Sequence, residues 1–297
     1  MTESERITRA LQGHWYGHYG LTFCPAHDNT RTPALSLTEG HGGRLLAHCH
    51  AGCTFPAILN ALRGLGVIEG CQIYAPTAAA DLTRNHATEE AEAIKREGQA
   101  LSIWHEALPI HNTIAETYLR EVRGITCPLP AKLRFHPSTW HGPSAKRMPA
   151  MVALVEGCKR VAIHRTYLRP DGHGKAMVAP DKMMLGATAG GAVSVSEAPA
   201  GPLVVAEGIE TALSLASGLL RTPATVWAAL STSGIRRLSL PIEAGRLTIA
   251  ADGDEPGRTA ANALAERASS LGWQVLLLPA PDDRDWNDIL NAKGNVA

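Results

Sequence analysis

The chain has 297 residues, 45% of them hydrophobic, with 28 Lys+Arg against 28 Asp+Glu and so a formal net charge of zero. That length suggests about two domains or three small ones, and the hydrophobic share excludes a wholly disordered chain. No apolar run reaches the roughly 18 residues of a membrane helix, and MTESERITRALQG has no basic-then-apolar leader, so a cytoplasmic protein without a membrane partner is expected.

Six cysteines stand at positions 24, 49, 53, 71, 127 and 158. With no leader, disulfides are not expected, and the first three cysteines lie among histidines. Cys24 and His27 form a Cys-x2-His pair, followed about 20 residues later by His48-Cys49-His50-Ala51-Gly52-Cys53, the two-pair pattern of a structural zinc ribbon. Pro25 and Gly52 supply turn chemistry. ALSLT and RLLAHC read as short strands joined by GHGG, a sheet so small that zinc would supply much of its folding energy. In the second pair Cys53 is joined by Cys49 or by His50; thiolate chemistry favours Cys49, and His50 stays open. Cys71, Cys127 and Cys158 are isolated and read as core or surface thiols.

TFPAILNALRGLG (54–66) has helical spacing and ends in glycine. The polar stretch 70–88 reads as a linker. Residues 89–107 and 112–123 read as helices, with Glu92–Arg96 an i,i+4 pair. After ITCPLP the pattern changes, and LRFHP, MPAMVALVEG and RVAIHRTYL read as strands before the PDGHGKA turn. Charge is uneven along the chain. Residues 1–119 hold 8 basic and 12 acidic residues, net −4; 120–185 hold 12 and 4, net +8; 186–297 hold 8 and 12, net −4. A local positive field holds phosphates whatever the total charge.

In the last third, Leu203 to Ala206 reads as a buried strand, followed by Glu207-Gly208 and a helix at 209–217. The stretch at 247–268 repeats this plan: a strand to Ala250, then Asp252-Gly253-Asp254, then a helix from Gly257. TVWAAL (225–230) and WQVLLLP (273–279) are further strands. Alternating strands and helices imply a parallel sheet with a ligand crevice at its carboxyl edge, where Glu207, Asp252 and Asp254 all fall. Three converging carboxylates repel one another unless a hard cation such as Mg2+ intervenes. DDRDWNDIL adds Asp285 and Asp288. Asp-Gly alone is a common surface turn; the strand-terminal Glu-Gly and the following helix make the pattern specific.

EGIETALS, IAADGDEPGRTAA and RDWNDIL together resemble the Toprim domain shared by bacterial-type primases, topoisomerases, some nucleases and a recombination mediator. The N-terminal CPAH…CHAGC resembles the zinc-binding domain of DnaG-type primases, and HRTYLRPDGHGKA with MMLGATAGGAV resembles the core of primases from phages, plasmids and other mobile elements. The resemblance implies an α/β chain: a zinc ribbon (1–69), a linker and helix (70–110), a mixed α/β basic core (111–199) and a Toprim domain (200–297).

It further implies a DNA primase, a nucleotidyltransferase that makes short RNA primers on single-stranded DNA from ribonucleoside triphosphates. Glu207 matches the Toprim glutamate, and Asp252 and Asp254 match the pair that binds Mg2+ or Mn2+. Asp285 or Asp288 matches the later acid, the choice being open. Glu210 is either behind the site or exposed. Arg165, Arg169 and Lys175 would hold template or triphosphate. Trp15, Tyr16 and Tyr19 either stack bases or pack against the ribbon. No GxxxxGK[ST] motif occurs, so a separate replicative helicase is the expected partner. Three rivals stand beside this reading. A topoisomerase is disfavoured because all five tyrosines precede the Toprim stretch. A Toprim nuclease would use the same acids with water as nucleophile. A non-catalytic zinc and Toprim DNA-binding recombination or replication factor predicts degraded acids, and these are intact.

Overall fold

The computed structural model describes residues 1–28, 32–40, 43–68 and 79–294, with the backbone alone described at 79–87 and 294. The chain divides into two compact units, 1–78 and 79–297.

In the first unit, helix α1 (Glu3–Ala10) starts at Thr2, whose hydroxyl accepts the Glu5 N–H. Four antiparallel strands follow in sequence order: β1 (His14–Trp15), β2 (Tyr19–Thr22), β3 (Leu35–Glu39) and β4 (Leu45–Cys49). The last two are the expected pair, each beginning one residue later than read. Helix α1 offers Ile7 as its one large apolar residue, and strands β1 and β2 are only two and four residues long, so none was legible. Helix α2 (Phe55–Gly64) is capped by Thr54 and buries Ile58, Leu59 and Leu62. The core is small: Ile7, Leu35, Leu37, Ile58 and Leu62 close around Cys24 and Cys49.

The second unit opens with helix α3 (Ala79–Glu106), which starts ten residues before the expected 89. The rest of the expected linker, with Cys71, lies outside the described residues. Helix α3 packs on a five-stranded antiparallel sheet of β5 (Leu108–Pro109), β6 (Leu133–His141), β7 (Lys146–Val155), β8 (Ala162–Tyr167) and β9 (Lys182–Leu185). Ala100 and Ala107 meet Val152 and Ile163 on one face. The other face, with Met151, Ala153 and Ala162, packs against helix α4 (Ile114–Thr117), which runs on through a π turn at Tyr118–Val122. Covered on both sides, β8 is buried at every residue. Alternation therefore puts His164 and Thr166 on the face of Ala162, and Arg165 and Tyr167 beneath α3 with Ile163.

The third sheet has the order β10-β12-β11-β13-β14, from β10 (Val193–Ser196), β11 (Leu203–Ala206), β12 (Thr225–Ala228), β13 (Arg246–Ala250) and β14 (Gln274–Leu277). Strands β11 to β14 run parallel, as expected; β10 is an antiparallel edge drawn from before residue 200. Helix α5 (Ile209–Ser214) follows β11, α6 (Thr232–Arg237) follows β12, α7 (Glu255–Ser270) follows β13, and α8 (Trp286–Gly294) closes the chain. Leu133, Met151 and Ala153 share one core with Val204, Ile209 and Leu213, so the two large sheets fold as one unit. Among the described residues, no helix is long and apolar enough to cross a membrane.

Candidate functional site

The first unit gathers one candidate metal centre. Cys24, His27, Cys49 and Cys53 bring their ligand atoms within 4.8 Å of one another. A tetrahedral zinc with Zn–S near 2.3 Å needs ligand atoms roughly 3.8 Å apart, so the cluster fits the ion. His27 faces it through Nδ1, which lies 3.1 Å from Cys53 Sγ and 3.7 Å from Cys49 Sγ. Gly52, at φ +96°, turns the chain after β4 so that Cys53 doubles back onto Cys49. His50 falls outside this cluster; its ring meets His48 edge-on at 4.9 Å. Burial pushes the Cys24 thiol up to about 12 and also raises that of Cys53. At Cys49 burial acts upward, but the backbone N–H groups of Cys53 and Ala51 and the neighbouring thiols outweigh it, and the shift is downward. Thiols that resist ionisation without a cation are those that a zinc ion would convert to thiolates. Tyr16 and Tyr19 stack on each other, ring centroids 4.9 Å apart, and Trp15 is half-buried.

The second unit gathers the acids. Ala206 of β11 pairs with Ala250 of β13 in parallel register, so Glu207 and the Asp252-Gly253-Asp254 turn leave the sheet at the same carboxyl edge. Asp254 caps α7, its Oδ1 accepting the Gly257 N–H at 2.8 Å. At Gly253 a Cβ would collide with the Pro281 carbonyl oxygen, so only glycine lets the 281–285 loop lie against the turn. That loop carries Asp285. Asp285 Oδ1 accepts the N–H groups of Asn287 and Asp288, and Asp288 Oδ2 accepts the Asp285 N–H, a reciprocal cap at the start of α8.

These carboxylates act on one another. Burial, then the charges of Asp252 and Asp254, push Glu207 up to about 7, against the pull of Lys182 and the Thr232 N–H. Burial, then Asp285 and Asp254, push Asp252 up to about 7, with Asp288 the weaker neighbour. Asp252 Oδ1 is buried without a hydrogen-bond partner. An orphaned carboxylate oxygen among repelling oxygen donors is a donor set suited to a hard divalent cation.

The three basic residues singled out from sequence do not converge. Arg165 is only 6% exposed, under α3, where its Nη1 donates to the Trp140 carbonyl and its Nε has no partner. Arg169 pairs with Asp171 at 2.6 Å and Lys175 with Asp181 at 3.0 Å. The cation that the fold turns toward the acids is Lys182, at the start of β9. It pairs with Glu210 at 2.9 Å, and its charge pulls against the rise of both Glu207 and Asp252. Glu210, open as behind the site or exposed, is buried behind it. No sequence signal distinguishes Lys182 from the other lysines of the basic segment, because its neighbours come from α5 and from the turns after β11 and β13.

Comparison with known proteins gives a class for the second unit. Residues 202–296 match the Toprim domain model, so the chain carries a C-terminal Toprim domain. Residues 94–195 match a model described as "Domain of unknown function (DUF7146)". No curated protein matches the chain. Among solved structures, the chain is similar to the Aquifex aeolicus primase (zinc-binding and RNA polymerase domains), at 15% identity over 100% of this chain and 83% of that one, with a TM-score of 0.43. It is also similar to the RNA polymerase domain of Mycobacterium tuberculosis primase DnaG, at 16% identity over 69% of this chain and 81% of that one, with a TM-score of 0.39.

Proposed function

We propose that this protein is a DNA primase that joins ribonucleotides on a single-stranded DNA template. The observation that carries the reading is the parallel register of β11 and β13, which sets Glu207 beside Asp252 and Asp254 in a Toprim domain, with a lysine turned toward them. Glu207, Asp252 and Asp254, with Asp285 behind Asp252, would hold Mg2+ or Mn2+, which when bound supplies Lewis-acid charge to the primer 3′-hydroxyl and the leaving pyrophosphate. Glu207 would act there as a ligand of the cation or as the base that accepts the proton released by the attacking hydroxyl. Lys182 presents its ammonium to a triphosphate on the cationic side of the site, with Lys175 near it through Glu210. Zinc held by Cys24, His27, Cys49 and Cys53 would stiffen the small N-terminal sheet as a template-binding surface. A separate replicative helicase, in the cytoplasm, would deliver the enzyme to its template.

The test is incubation with single-stranded DNA, ribonucleoside triphosphates and Mg2+ or Mn2+. Short labelled RNA that disappears in Asp252→Ala supports the reading. Degradation of the DNA by the same acids would replace primase by nuclease, and DNA binding with no product, unaffected by Asp252→Ala, would replace it by a non-catalytic factor.

The raised acids also set a pH dependence. Unfolded, Glu and Asp release their protons near pH 4, whereas Glu207 and Asp252 keep theirs to about 7 when folded. The folded state therefore binds more protons across that window, and this pair's contribution to stability falls as pH rises through it. A bound cation removes that penalty most where both acids are ionised. The rise in Tm given by Mg2+, read by scanning fluorimetry, is expected to be larger at pH 8 than at pH 6. An equal or smaller rise at pH 8 contradicts the assignment.

A further inference from the structure

The acid site depends on where one ammonium is kept. Lys182 has a flexible four-carbon stem and three donors. Its charge already reaches Glu207 and Asp252, yet among the described residues its ion pair is with Glu210 and with neither of those acids. Left free, the ammonium would settle on Glu207 or Asp252 and compete with a divalent cation for the same oxygens.

Glu210 is fixed from both sides. Its Oε2 takes Lys182 Nζ at 2.9 Å, and its Oε1 takes the Tyr118 hydroxyl at 2.9 Å. Tyr118 in turn accepts Arg123 Nε at 2.9 Å. Arg123 Nη1 donates to Asn287 Oδ1 at 3.2 Å, and Asn287 Nδ2 donates to the Arg123 carbonyl at 2.7 Å and to Ser214 Oγ at 2.9 Å. Ser214 donates to the Glu210 carbonyl at 2.8 Å and closes the ring. Asn287 is also the residue whose N–H caps onto Asp285. One buried network therefore ties the lysine of β9 to the start of the helix that Asp285 caps.

We propose that Glu210 is a positioning residue: its buried carboxylate, braced by Tyr118, holds the Lys182 ammonium off Glu207 and Asp252, leaving those acids free for a divalent cation and the ammonium free for phosphate. This rests on the metal-binding reading of the acids given above. Lys182 has a job of its own only if it is kept from neutralising the neighbours that need the metal.

The experiment is Mn2+ binding to the full chain, followed by calorimetry and by the electron-spin resonance of free Mn2+, for wild type, Glu210→Gln and the double variant Glu210→Gln/Lys182→Met. Glu210→Gln releases the ammonium onto the acids and should weaken Mn2+ binding roughly tenfold. The double variant removes both charges and should return to within about threefold of wild type, since the two residues act as a unit. Glu210→Gln binding Mn2+ like wild type would overturn the proposal. So would a double variant as weak as the single one, which would make Glu210 a folding residue only. If Glu210→Gln melts before it can be titrated, Tyr118→Phe removes the hydroxyl that braces Glu210 and should show a smaller loss, about threefold; no loss overturns the proposal. Wild type that binds Mn2+ with this mutant pattern but makes no primers would sink the primase reading and leave this inference standing. Wild type that binds no Mn2+ would end both.

Discussion

If the protein is the proposed primase, Asp252→Asn is expected to lower primer synthesis by about three powers of ten, roughly 4 kcal/mol of lost transition-state stabilisation, while raising the Tm of the metal-free protein. The two effects share one cause. Asp252 is held at the sheet edge with a buried, unpartnered oxygen, among Asp285, Asp254 and Asp288. Without metal that charge is costly, because burial and three neighbouring carboxylates oppose it. Asparagine keeps the shape, drops the charge and relieves the repulsion, so the fold gains what the site loses. The measurement pairs a primer-extension time course with a thermal melt in EDTA. Loss of activity together with a lowered Tm would mean that Asp252 is structural. Full activity would remove it from the metal site.

The second large effect is expected at the other end of the chain. Cys49→Ser, or removal of zinc by a chelator, should abolish the ordered sheet of the first unit, whereas His50→Ala should leave it intact. The reason is the size of the core, in which two of the few fully enclosed side chains are the proposed ligands Cys24 and Cys49. Structural zinc binding is worth about 10–16 kcal/mol in small zinc-finger peptides, comparable to all that the buried Ile and Leu side chains described in this core supply before the entropy of ordering the chain is met. Zinc content by elemental analysis and hydrogen exchange of the β2, β3 and β4 amides would check this. Protection that survives zinc removal would show a sheet that stands without the ion. Loss of zinc in His50→Ala would return that residue to the ligand set.

Much of this molecule was legible because its signals are local. A Cys-x2-His pair and CHAGC lie in short turns, so their geometry follows from sequence spacing, and the structure brings Cys49, at the end of β4, into the cluster. The strands at 203–206 and 246–250 are apolar runs ending in acids, and the parallel plan puts such ends in one crevice. The early start of α3 was hidden because 79–88 is polar and poor in large side chains, so it carries little amphipathic signal. Strand β9 was hidden because four residues are too few for a period.

The basic segment shows where reading along the chain stops. Arg165, Arg169, Lys175 and Lys182 are alike as sequence, twelve basic residues against four acids between 120 and 185. Alternation in β8 sends Arg165 under α3, local turns give Arg169 and Lys175 their own aspartates, and only Lys182 is left turned toward the acids. Its partner Glu210 is 28 residues away, and Glu210's second partner, Tyr118, is 92 residues away. The sequence by itself determined which residues are candidates for metal chemistry, because ligand pairs and strand-terminal acids are set by neighbours a few positions apart. The tertiary structure alone decided which cation lies near the acids and what it pairs with, because charge acts through space and each buried partner comes from a different element of the fold.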